Sequence, residues 1–155
     1  MTPLVVCYDG SENAAQAIDV ASREFPGSEA LVLHVWEPLS HVASVPPVPG
    51  LRGILLAGLD EIDLEREQAS AGAAAAGAEL ARRAGLQAEG VTRRAENRAW
   101  GAILRVADEH DARLIVMGRR GLSGPERWLL GSVSTAVLHR SERPVLVVPL
   151  HDGAQ

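Results

Sequence analysis

The chain's 155 residues, 46% hydrophobic and 23% charged, suit one globular domain over 1–155 and exclude both disorder and a membrane span. A formal net charge of −5 argues against general electrostatic binding to nucleic acid. All 15 basic residues are Arg, so a P-loop, a protein kinase and a Schiff-base enzyme, each built around a Lys, are excluded.

In chain order, Leu4–Tyr8 is an apolar run that reads as a buried first strand. Nothing basic precedes it and no small-residue cleavage site follows, so no signal peptide and a cytoplasmic protein are expected. Cys7 lies inside that strand. A lone cysteine there excludes an internal disulfide and a multi-thiolate metal site, and reads as a small core residue. Asp9-Gly10-Ser11 follows as a turn, and Asn13–Glu24 as a helix with Ala14, Ala17, Ile18 and Ala21 on one face, capped by Ser11 or Asn13. Ala30–Trp36 is the second strand, and His34 within it reads as a satisfied core histidine. Residues 37–59 carry Pro38, Pro46, Pro47 and Pro49 with Gly50, Gly53 and Gly58. They predict a long flexible loop, with a functional lid and a disordered excursion both open.

A longer helix is expected from Asp60 to Ala84, acidic at its start, closed by Arg82-Arg83 and stopped at Gly85. Its Ala-rich stretch, Ala71–Ala78, reads as a close-packed helix face. Gln87–Thr92 is a weaker strand nearer a sheet edge, Asn97–Glu109 a helix, and Arg113–Gly118 a strand. A last helix spans about Ser132 to His139, and Pro144–Val148 is the last strand before a tail at 150–155. Strands alternating with helices imply an α/β fold of right-handed βαβ units, an open five-stranded parallel sheet with helices on both faces.

Ligands of such sheets bind beyond the carboxyl ends of the strands, where strand order reverses. Asp9-Gly10-Ser11 and the segment starting at Gly118 should meet there. The second segment has Gly118, Gly121, Gly124 and Gly131, then Ser132-Val133-Ser134 opening the last helix. Glycines admit close backbone approach, and free N–H groups at a helix start make an anion site suited to phosphate.

The spacing Gly118-x2-Gly121-x9-Gly131-Ser132 resembles the nucleotide-binding signature of the universal stress protein family. So do Leu114–Gly118 ahead of it, Arg143–Val148 after it, Asp9-Gly10-Ser11 and Leu33-His34-Val35. The resemblance spans nearly the whole chain apart from 37–59. It implies a Rossmann-like sheet with strand order 3-2-1-4-5, as in adenine nucleotide alpha hydrolase-like folds, and ATP as ligand. It further implies Asp9 near the ribose or a phosphate-bound Mg2+, and the backbone of Val35 against adenine. Met117 and Gly118 would line the adenine and ribose side. Gly121 and Gly131 would close on the phosphates, held by Ser132, Val133 and Ser134, with Arg119 or Arg120 adding charge-assisted bonds. Relatives commonly dimerise through the last strand, which implies a homodimer through 144–148. Where the family usually has an acidic residue before the fourth strand this chain has Arg113, which should lie at the sheet's opposite end and affect packing.

The leading functional reading is an ATP-binding regulatory protein of the stress response, with a protein partner the sequence does not name. A slow ATPase or phosphotransferase is the enzymatic alternative, although no dedicated catalytic base is legible. A module holding AMP or cyclic AMP is the third.

Overall fold

Strands that are apolar on both sides need cover on both sides, and the chain supplies it. The structure is a computed structural model describing residues 2–39, 51–119 and 130–149, with backbone alone at 51–57. Strands β1 (Leu4–Cys7), β2 (Glu29–Trp36), β3 (Gln87–Arg94), β4 (Leu114–Gly118) and β5 (Val145–Val148) alternate with helices. The helices are α1 (Glu12–Glu24), α2 (Leu51–Arg83), α3 (Ala99–Glu109) and α4 (Ser132–Arg140). All strand pairs are parallel, in the order β3-β2-β1-β4-β5, as expected.

The two-residue period of the strands divides the core. Leu4 and Val6 of β1 point to one face, where Val32, Val116 and Val148 join Ala17, Ile18 and Ala21 of α1 and Ala78 and Ala81 of α2. Val5 points to the other face, where Leu31, Leu33, Ile115 and Met117 meet Ile103, Val106 and Ala107 of α3 and Val137 of α4. The weak third strand lies at an edge, and its residues are mostly exposed or half-buried.

The Ala-rich stretch of α2 lies close on the sheet. A Cβ on Gly77 would fall 2.6 Å from Cδ1 of Tyr8, and one on Gly90 of β3 would fall 2.7 Å from the Ala74 carbonyl oxygen. Gly85, at φ +102°, ends the helix as the sequence predicts, and the Leu86 N–H returns to the Ala81 carbonyl at 3.0 Å. One expectation is corrected. The helix begins at Leu51 and not at Asp60, so 51–59 is helical despite Gly53 and Gly58. Leu51, Arg52, Leu55, Leu56 and Ala57 are good helix formers, and two glycines at about 1 kcal/mol each do not stop so long a helix. The remainder of the expected loop, 40–50, lies outside the described residues, as does the 150–155 tail.

Arg113 lies at the sheet's amino-terminal end, bonded through Nη2 to Ser28 Oγ at 2.7 Å and stacked 5.3 Å from the Phe25 ring centroid. Its departure from the expected acidic residue is therefore a packing matter, remote from the carboxyl ends of the strands. At that same end Arg143 binds Asp108, Asp111 and the Ala112 carbonyl, tying β5 to the turn before β4.

Candidate functional site

At the carboxyl ends of β1, β2 and β4 the polypeptide surrounds a cavity of about 140 Å³. Its apolar wall comes from Leu33 and Val35 of β2, Met117 of β4, and Ala99 and Ile103 of α3. Asp9, Ser11 and Asn13 add polar groups to the lining, as does Ser134 of α4 beside Val133. Three helix N-termini, those of α1, α3 and α4, thus border one space beside the tip of β1, at the reversal of strand order where nucleotides bind such sheets.

The turn into α1 is built as its residues require. Gly10 takes φ +83°, a conformation that favours glycine. The Asp9 carboxylate accepts the Ser11 N–H at 3.0 Å, and Ser11 Oγ caps the helix by accepting the Ala14 N–H at 3.2 Å. Of the two cap candidates, Ser11 is the one used.

The start of α4 differs. Its N-cap is Gly131, with no side-chain hydrogen bond to the first turn. The Gly131 carbonyl takes the Thr135 N–H at 2.9 Å, so the N–H groups of Ser132, Val133 and Ser134 precede the first in-helix bond. Ser132 is exposed and Ser134 is 2% exposed. The Ser134 hydroxyl donates to the Gly118 carbonyl at 3.4 Å, which ties the helix start to the end of β4. The expected hydroxyl contact to phosphate from Ser134 therefore competes with an internal bond. Gly131 has φ −59°, so its contribution is the missing side chain and not an unusual conformation.

Gly118 is the junction. A Cβ there would sit 2.8 Å from the Asn13 carbonyl oxygen and 2.9 Å from Asn13 Cγ, so only glycine lets α1 and β4 approach this closely. His34 donates Nδ1–H to the Tyr8 carbonyl at 2.9 Å, the satisfied role expected of it, although it is half-buried and not fully so. Cys7 lines the cavity and keeps partial exposure. Burial still pushes its thiol up to about 12, and the Asp9 charge pushes in the same direction, which makes it a poor nucleophile.

Of the residues expected at the site, Asp9, Val35, Met117, Gly118, Val133 and Ser134 line this one cavity. Gly131 and Ser132 adjoin it as the cap and first residue of α4. Arg120 and Gly121 lie outside the described residues. Sequence reasoning gave no site role to Tyr8, Asn13, Ala99 or Ile103, which also line the cavity. Tyr8 adjoins Asp9, and Ala99 follows β3 at the same sheet end, so topology was the available signal for both. Asn13 reads locally as a helix-start residue, and nothing in the sequence marks it as lining the cavity. Among the described residues no group of three or more His, Cys, Asp or Glu could hold a metal ion.

The sequence profile of the Universal stress protein family matches residues 1–149. Universal stress protein YxiE of Bacillus subtilis (strain 168) is 33% identical over 147 residues, covering 94% of this chain and 97% of that protein. Among solved structures, the universal stress protein from Archaeoglobus fulgidus in complex with dAMP superposes with a TM-score of 0.61. It is 22% identical, and the match covers 95% of this chain and 97% of that one. A universal stress protein in complex with cAMP superposes with a TM-score of 0.58 at 25% identity, covering 95% of this chain and 96% of the other.

Proposed function

Since the chain belongs to the universal stress protein family, we propose that it is an ATP-binding regulatory protein of the stress response. The observation that carries this reading is the uncapped start of α4, opening beside the Asp9 turn onto a cavity with one apolar wall. Adenine lies against Leu33, Val35 and Met117, and the ribose lies by Asp9 and Gly118. The phosphates take the N–H groups of Ser132, Val133 and Ser134, with Gly121 admitting their close approach and Arg120 adding charge-assisted bonds. Mg2+ arrives with the nucleotide, held by phosphate oxygens beside Asp9. That donor set suits an ion that keeps several waters and binds through substrate phosphates. The protein works in the cytoplasm as a homodimer joined through β5, and ATP occupancy changes the surface around 119–131 that a partner meets.

Structural neighbours are named as complexes with dAMP and cAMP, which supports an adenine nucleotide as the ligand class, and the polyphosphate is the specific commitment. Calorimetry on protein freed of endogenous nucleotide tests it, titrating ATP, AMP and cyclic AMP separately with Mg2+. ATP is expected to bind tightest of the three, because only its phosphates reach along the α4 start. No heat from ATP at millimolar concentration rejects nucleotide binding, and tighter AMP or cyclic AMP rejects the ATP assignment.

A further inference from the structure

Asn13 occupies the first turn of α1, and its side chain is wedged against Gly118 at the cavity wall. Its amide oxygen is buried and has no hydrogen-bond partner. Such a group costs stability, and the cost falls away when a donor reaches it. The oxygen can only accept, so it attracts an N–H or O–H and repels the oxygens of a phosphate chain. Asn13 lines the cavity together with Asp9 and Ser11.

We propose that Asn13 is a specificity-determining residue whose Oδ1 accepts a hydrogen bond from a sugar hydroxyl of the bound nucleotide. This rests on the nucleotide reading above. An adenine nucleotide offers three donors at most: the exocyclic amine and two sugar hydroxyls. The amine belongs with the base on the apolar wall, so the hydroxyls are what reach the polar lining. Asn13 thereby makes the pocket select a ribonucleotide over an analogue lacking that hydroxyl. The glycine at 118 serves the same end, because a Cβ there would displace the amide.

The test compares ATP, 2′-deoxy-ATP, 3′-deoxy-ATP and purine riboside triphosphate on the wild-type chain and on Asn13→Leu and Asn13→Ala. In the wild type one deoxy analogue binds about 5- to 10-fold more weakly than ATP, the loss of one hydrogen bond to a buried acceptor. In both variants ATP falls to the level of that analogue and the discrimination vanishes. Asn13→Leu melts no lower than wild type, since it removes an unpaired buried oxygen at nearly constant size; a merely structural Asn13 would give the opposite, a lower melting point with discrimination retained. Discrimination surviving in Asn13→Leu overturns the proposal, as does a penalty seen with purine riboside triphosphate and with neither deoxy analogue. Wild-type protein that binds no ATP removes the nucleotide reading and this one together, whereas ATP binding unaffected at Asn13 removes this one alone.

Discussion

Gly118 and Cys7 show how the site constrains single residues. At Gly118 the obstacle to any side chain is the Asn13 main chain, 2.8 Å from the position a Cβ would take, and a backbone carbonyl does not swing aside. Gly118→Ala should therefore overpack the junction and lower stability by about 1–3 kcal/mol in urea unfolding; an unchanged midpoint would show that α1 can retreat freely. Cys7 makes a prediction about pH. Its thiol is raised from 9.0 to about 12 in the folded chain, so below pH 9 both folded and unfolded thiols keep their protons. Above that, the unfolded chain ionises first, and this contribution to stability is lost as pH rises from 9 toward 12, by at most about 1.4 kcal/mol per pH unit. Replacing Cys7 with Ala should flatten that part of the stability profile, and the native thiol should react with iodoacetamide far more slowly than the denatured one. Equal rates would contradict the raised thiol.

At the scale of elements, α1 and α4 both open on the cavity and differ at the cap. Ser11 closes the first turn of α1, while Gly131 leaves the first turn of α4 open. Gly131→Asp would add a carboxylate where N–H groups and the helix dipole favour one. The variant should be more stable by about a few tenths of a kcal/mol on chemical unfolding, yet bind ATP about tenfold more weakly, because its own anion takes the phosphate position. Undiminished affinity would mean that α4 does not receive the phosphates. The capped and uncapped starts also explain what the sequence made legible. Four strands announced themselves by nearly continuous apolar runs, and β3 by its polarity announced an edge. Gly10, Gly85 and the Gly131-Ser132 pair marked turns and ends by known local chemistry. The start of α2 was hidden, because glycines at 53 and 58 and the prolines before them mimic a loop while the length of the helix overrides them. Asn13 and Ile103 were hidden for a different reason. Lining a cavity depends on which elements meet, and no local pattern records that.

For the whole molecule, the open sheet has two edges, and they are not alike. The β3 edge carries Glu89, Arg93 and Arg94, charges that discourage pairing with another strand. The β5 edge is Val-Leu-Val-Val, with its first three residues half-buried. Along β5 the carbonyls of Pro144 and Val148 accept the N–H groups of Ile115 and Arg119, on the β4 side, at 3.0 and 2.8 Å. The two-residue alternation of a parallel strand then turns the N–H and C=O groups of Val145 and Val147 away from β4, toward the free side. If two copies join there, light scattering should report twice 16.4 kDa at micromolar concentration. Val147→Pro removes one outward N–H and leaves the bonds to β4 in place, a substitution edge strands tolerate. That variant should be a folded monomer, with a far-UV spectrum like wild type and half the scattering mass. A wild-type chain that stays monomeric at high micromolar concentration, or a Val147→Pro chain that remains a dimer, would show that the free edge of β5 is not the surface at which copies meet.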